Sequence, residues 1–295
     1  TNHPTNHPPT THQPPLLPLE VECNVADPKL VTKCPPDLGL PTPPVSTLTL
    51  QMKTVVNPKT HAHEVVAVAA AVHSNVSLDA ATEERRSNMK WFVAVRSLGN
   101  SAGPQHPTRL PHDLKPVLEK SRMQGVAVLP NERALLSWLL NKIGAEDPDV
   151  LTSHNLFGFD FDVLLTRSVE HKLGLWSKIG RLRKSKLPNM RSKGGANKDK
   201  LISDAATGRI LADTYLSARD LLREENYSLA HLAKSYLKAP EERVDIDPMD
   251  VPHYFSSSQH LTQLIAHLAT GVGLVQKLLF KLQIIPLTKQ LTNIP

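Results

Sequence analysis

Polar and apolar residues begin to alternate at residue 46. "STLTLQMKTVV" (46–56) reads as a half-buried β-strand, and "EVVAVAAAVH" (64–73) as a continuous buried one. Between them "NPKTHAH" carries an Asn-Pro turn signal, so the pair predicts a β-hairpin with a longer loop. "MKWFVAVRS" (89–97) predicts a third strand. Beyond Asn131, a helix-capping residue type, Leu135, Leu136, Leu139, Leu140 and Ile143 recur at helical spacing. A short buried strand in "DPDVLTSHN" then ends near Asn155, and "FDVLLTRSVEHKL" continues as a helix. "GRILADTYLSARDLLR" predicts a strand that turns into a helix at Asp213, and "SLAHLAKSYL" a helix capped by Ser228. "SSSQHLTQLIAHLATGVGLVQKLLFKL" predicts a long final helix. Strands followed by interleaved helices and strands predict an α/β domain with one mixed central sheet flanked by helices.

The first 45 residues differ in kind. Residues 1–18 repeat TNHP and are rich in proline, which removes backbone donors and disfavours helix. They predict a disordered tail, whose His3, His7 and His12 offer at most weak metal ligation. Residues 19–45, with "CPPDLGLPTPPV", predict an N-terminal region and linker, leaving 46–295 as the folded domain. Hydrophobic residues at 40% permit a sizeable core, and aromatics at 4% make it aliphatic. A formal charge of +6 allows a polyanionic partner without requiring one. Cys23 and Cys34 fit no zinc spacing and leave a lone disulfide or two free thiols open. No apolar run is expected to approach the roughly 20 residues of a membrane span, so no membrane partner is expected. The polar N-terminus is no secretory signal. Without an initiator Met and with the ending "LTNIP", the chain reads as a possible piece of a longer one.

Candidate chemistry centres on "SHNLFGFDFDVLLTR" (153–167), where Asp160 and Asp162 follow Asn155 at a strand-to-helix turn. Asn155, Phe159 and Asp160 resemble the second exonuclease motif of family-B DNA polymerases. "WSKIGRLRKSKLP" (176–188) is similar to a run that follows this motif in the alpha-type eukaryotic branch of that family. "TLQMKTVVNPKTHAHEVVAVAA" and "LQIIPLTKQLTNI" extend the likeness to roughly residues 20–295. The resemblance implies a ribonuclease-H-like 3′–5′ exonuclease fold. Its active members hold two divalent metals, clamping the attacking and leaving oxygens of a phosphodiester, and Mg²⁺ takes oxygen ligands.

In those members the first strand supplies Asp-x-Glu, the second motif Asp, and the last helix Tyr-x-x-x-Asp. At the matching positions this chain has Gln51 and Lys53, then Asp160, then His267 and Gly271. Asp160 is the one carboxylate retained of four. A lone carboxylate cannot hold two Mg²⁺ ions, and Lys53 sets a cation beside them. At 4 Å and an effective dielectric of ~20, a monovalent like-charge pair repels by about 4 kcal/mol, and a divalent ion doubles this. The expectation is a domain without 3′–5′ exonuclease activity and without a metal or other cofactor of its own. Asp160 itself is open to three readings: a relict ligand, a charge favoured by a helix N-terminus, or both. Asn155 either ties down the strand end or touches DNA.

Lys178, Arg181, Arg183, Lys184 and Lys186, with four further cations up to Lys200, form a basic run that is either a solvated loop or a phosphate contact. Trp176 either anchors that loop or stacks on a base. His267 reads as a helix-surface or pocket histidine. No GxxxxGK[ST] loop and no nucleophile elbow occurs.

By resemblance, the domain is expected to scaffold a replicative, nuclear DNA polymerase of alpha type. It would brace the polymerase core and flank a DNA or RNA–DNA template-primer. The resemblance also implies an associated primase and an Mg²⁺-dependent palm. The palm motifs "DTDS" and "SLYPS" are absent from this chain. Two alternatives stay open: an active metal-dependent exonuclease using Asp160, Asp162 or Asp213, and a free-standing interaction module for nucleic acid or protein.

Overall fold

The computed structural model describes residues 27–30, 43–79, 89–121, 123, 125–190, 196–239 and 243–292. The tail expected over 1–18, both cysteines and most of the linker lie outside these residues. The chain divides into two compact units, Thr1–Pro41 and Thr42–Pro295. In the first, the described residues form a short 3-10 turn, Pro28–Leu30.

The second unit is built on a six-stranded sheet. Its strands are β1 (Val45–Val56), β2 (His63–Val76), β3 (Met89–Arg96), β4 (Val126–Leu129), β5 (Val150–Ser153) and β6 (Ile210–Asp213). They lie in the order β4-β3-β2-β1-β5-β6. The three long strands pair antiparallel, whereas β4, β5 and β6 each pair parallel with a neighbour. This is the mixed α/β sheet that the pattern predicts. The β1–β2 turn is closed by Asn57, whose side chain accepts from Lys59 N at 2.9 Å and donates to Glu64 Oε1 at 2.7 Å.

Among the described residues, eight α-helices accompany the sheet: α1 (Leu114–Lys120), α2 (Glu132–Glu146), α3 (Phe161–Glu170), α4 (Ala196–Ala205), α5 (Thr214–Leu221), α6 (Leu229–Ser235), α7 (Ser258–Lys281) and α8 (Ile284–Thr292). α1, α4, α8 and strand β4 are additions to the sequence reading. α8 also means that the long helix is not the last. Asn131 caps α2, accepting from Ala134 N at 2.9 Å. Ser228 caps α6 and Ser257 caps α7 in the same way.

β1 sits mid-sheet and is covered on both faces, which sorts its side chains by parity. Leu48, Leu50 and Met52 join α2 and α3 in one apolar cluster. Thr47, Thr49, Gln51 and Lys53 alternate with them and so point to the other face, where α7 lies. On β2, Ala67, Ala69 and Ala71 pack in a second cluster with α7 residues Leu261, Leu264, Leu268 and Val272. Alanines there leave room for α7 to lie close to the sheet.

α7 is long and apolar enough to cross a membrane by length and composition. The expectation that no run approaches that length is therefore corrected. Its apolar residues are core: Leu264, Leu268, Val275 and Leu278 are fully buried.

Charge is also buried. Glu132 accepts from Val65 N at 2.6 Å and pairs with Arg167 at 2.5 Å and His171 at 2.9 Å. Arg96 donates to Val65 O at 2.7 Å and pairs with Glu64 at 3.3 Å.

Candidate functional site

Asp160 closes a wide turn, Leu156–Asp160, between β5 and α3. The turn opens at Asn155, which takes a left-handed backbone conformation at φ 68°. Its carbonyl accepts from Phe159 N at 3.0 Å and Asp160 N at 3.3 Å. A Cβ at Gly158 would overlap Asn155 Oδ1, so a larger residue there would have to displace the Asn155 side chain that folds back over the turn. Asn155 thus ties down the strand end. Phe159 stands edge-on to His63, ring centroids 5.2 Å apart.

Asp160 is 5% exposed and accepts a short hydrogen bond from Ser153 Oγ. It stands at the N-terminus of α3, where its side chain makes no capping hydrogen bond to the helix backbone. Burial pushes its carboxyl up to about 7, and Asp213 adds to the shift; Ser153 and the Lys53 charge oppose it. Asp213, at the end of β6, spends its carboxylate on the backbone. It accepts from Asn155 N (3.1 Å), Phe157 N (3.2 Å), Tyr215 N (2.9 Å) and Leu216 N (3.3 Å). Asp162 pairs with Lys198 at 2.5 Å. The three aspartates considered for a rearranged metal site therefore have three separate occupations.

The remaining motif positions converge under α7. Lys53 Nζ donates to Ile246 O at 3.0 Å. Burial lowers its ammonium to about 8, with Arg243 the next cause, against Asp245, Asp160 and Asp247. A Cβ added at Gly271 would overlap Gln51 Oε1 and stand 2.9 Å from Arg243 Nη2. The Gln51 amide and the Arg243 guanidinium thus fill the space beside the bare Gly271 backbone. His267 lies one turn back on α7. Its Nε2 is 3.0 Å from Val244 O, and its Nδ1 is 3.4 Å from Arg243 Nη2. These partners assign the proton to Nε2 and leave Nδ1 as acceptor, hence a neutral ring. Burial, followed by the Arg243 and Lys53 charges, pushes His267 down to about 4.

Sequence reasoning missed Arg243. Its guanidinium is 6% exposed, donates to His267 O at 3.0 Å and pairs with Asp245 at 3.4 Å. The available signal was "RVDID", a lone arginine among alternating aspartates and apolar residues. Nothing local ties that run to α7, because the contact spans 24 residues.

Two divalent cations, as the exonuclease motif implies, do not fit these residues. Three carboxylate positions and a tyrosine position of the motif are here an amide, an ammonium, a glycine and an imidazole, and a guanidinium lies beside two of them. Among the described residues, no group of three or more His, Cys, Asp or Glu side chains could share a metal ion.

The basic run lies elsewhere. Arg181 pairs with Asp147 at 3.0 Å and Asp149 at 2.8 Å, beside the start of β5. Asp160 and Asp213 sit at the opposite ends of β5 and β6, four residues or roughly 13 Å along the sheet. Lys184 Nζ bonds Asp204 O, and Lys178 Nζ reaches Asn141 Oδ1 at 2.8 Å. Trp176, 2% exposed, is packed in the core cluster with α2 and α3. Arg183 and Lys186 are exposed. Arg191 and Lys193 lie outside the described residues. The structure thus engages Lys178, Arg181 and Lys184, three of the five candidate cations, within the protein away from the motif residues, whereas Lys198 further along the run reaches Asp162.

Residues 13–232 match the family described as DNA polymerase family B, exonuclease domain. The chain is 36% identical over 283 residues to a DNA polymerase alpha catalytic subunit from Oryza sativa subsp. japonica, covering 92% of this chain and 18% of the relative. It is similar to proteins of that name from Xenopus laevis, 36% identical, and Mus musculus, 33% identical, each over 252 residues, 85% of this chain and 16% of the relative. The chain spans less than a fifth of the length of these relatives.

Proposed function

Because the chain belongs to the exonuclease-domain family of family-B DNA polymerases, we propose that it is a catalytically silent member, serving as a scaffold in an alpha-type replicative polymerase. One observation carries the silence. Gln51 and Arg243 fill the space beside Gly271, Arg243 lies against His267, and Lys53 is held by Ile246 O, leaving Asp160 without a second motif carboxylate. In place of a charged, hydrated metal pocket stand a Gln51–Gly271 contact and the Lys53 and His267 hydrogen bonds to residues 244–246. A hydrolytic site needs a cation to activate water and stabilise the leaving oxygen, and nothing in this arrangement supplies either.

The scaffold reading draws on the relatives' printed names. The domain braces the remaining polymerase domains, in the nucleus, and flanks a DNA or RNA–DNA template-primer. The parent protein's Mg²⁺ belongs to its palm, and a primase partner makes the RNA primer. Backbone contact with nucleic acid falls to Arg183 and Lys186, since Arg181, Lys178 and Lys184 are engaged within the protein.

The test is nucleotide release from a 3′-labelled, mispaired primer-template in Mg²⁺ or Mn²⁺. The expected result is a rate equal to that of the Asp160→Ala variant. Release that Asp160→Ala abolishes would refute the silence.

A further inference from the structure

Arg243 closes the vestigial site independently of the four motif substitutions. It reaches the site on a short segment, residues 243–247, that lies against both substituted elements. Three hydrogen bonds fasten this segment. Arg243 Nη1 donates to His267 O at 3.0 Å, His267 Nε2 donates to Val244 O at 3.0 Å, and Lys53 Nζ donates to Ile246 O at 3.0 Å. The first two tie it to α7 and the third to β1. Ile246 packs against the apolar cluster under α7, while Val244 is 75% exposed and Asp245 about half exposed.

The position of Arg243 decides what a restored carboxylate would meet. The Cβ of any residue placed at 271 would stand 2.9 Å from Arg243 Nη2. A carboxylate there would lie within reach of a buried guanidinium, and Arg–carboxylate pairs are among the stronger side-chain hydrogen bonds. The guanidinium's present carboxylate partner is a loose one, half-exposed Asp245, which stands 3.4 Å from Nε without a hydrogen bond of good geometry. The guanidinium would take the new carboxylate as a partner before a hydrated divalent cation did.

We propose that the 243–247 segment is a built-in closure of the site, in which Arg243 takes the place of a bound cation, so that restoring the motif carboxylates alone does not restore metal binding. This rests on the reading of the native site as unable to hold metal, and deepens it. Loss of the motif and gain of the arginine are then two separate barriers.

The experiment compares Mn²⁺ binding, followed by the loss of the free-ion electron paramagnetic resonance signal. The subjects are the native chain, the triple variant Gln51→Asp/Lys53→Glu/Gly271→Asp, and the same variant with Arg243→Gln. The triple variant should bind no more tightly than the native chain, and Arg243→Gln should then tighten binding at least tenfold. A triple variant that already binds as tightly as the quadruple one overturns the proposal, as does a quadruple variant no better than the native chain. Circular dichroism checks that the variants fold. If the triple variant does not, the single Arg243→Gln change still decides. NMR titration should show the His267 imidazole rising by at least one pH unit from about 4, and an unmoved His267 counts against the closure. Native nuclease activity would refute the silent-domain reading, whereas metal binding by the triple variant refutes this inference alone.

Discussion

At Asp160 the fold holds a carboxyl group against its own acidity. Its pKa is raised to about 7, chiefly by burial, so the folded state binds the proton more tightly than the unfolded chain does. Stability from this group is therefore complete below the unfolded value near 4 and is lost as pH rises through about 7. Asp160→Asn should remove that dependence. Denaturant unfolding at pH 5 and pH 8 should show the native chain losing on the order of 2 kcal/mol more than the variant across this interval, and equal losses would contradict the assignment. Gly271 offers a second residue-scale test. Gly→Ala inside a helix ordinarily stabilises by roughly 1 kcal/mol, but here the new methyl must displace the Gln51 amide. Gly271→Ala should give no gain in the native background and a gain in Gln51→Ala that is held below the ordinary one by Arg243 Nη2, still 2.9 Å from the new methyl, a coupling of less than about 1 kcal/mol. Additive effects in that double-mutant cycle would mean that the two side chains do not meet. Gln51, Lys53, His267 and Gly271 could each be located in the sequence because motif spacing is local. Arg243 could not, because nothing near it in the sequence indicates that it packs on α7.

Among the elements, the long strands and capped helices were legible because their signals are periodic and sit within one element. β1 alternates, α2 carries a five-residue apolar stripe, and Asn131, Ser228 and Asp213 are caps that act over three residues. β4 and α1 are short and lack a complete period, so neither period nor length marks them. α4 hides within a stretch read only for its charge. The Glu132–Arg167–His171 and Arg96–Glu64 pairs were invisible for another reason: their partners are 35, 39 and 32 residues apart. Glu132→Ala would leave Arg167 short of its principal partner in the interior, and should cost about 3–5 kcal/mol in equilibrium unfolding; a loss under 1 kcal/mol would show that the network is hydrated. The loop after Trp176 gives a prediction of another kind. Arg183→Glu with Lys186→Glu should flatten the salt dependence of primer-template binding by about two phosphate contacts. An unchanged slope would mean that the loop is simply solvated.

Across the whole molecule, a ribonuclease-H-like sheet and its strand-to-helix turn meet at a junction lined by Gln51, Lys53, Asp160, His267 and Gly271, and on the proposed reading that junction has lost its chemistry. Asn155 and Asp213 hold the turn through hydrogen bonds with its backbone, and these contacts do not depend on a metal. Fold and catalysis are separable here because the carboxylates of a metal site contribute little to packing, whereas α7 must still lie against β1 and β2. The alanine face of β2 and the bare backbone of Gly271 allow it to lie close to the sheet. On the proposed reading, side chains and not divalent ions occupy this junction. Anomalous diffraction from crystals soaked in Mn²⁺ tests it most directly. The account predicts no anomalous peak within coordination distance of Asp160, with Lys53 and Arg243 in ordered density beside it; one or two strong peaks bridging Asp160 to residue 51 or 53 would contradict it.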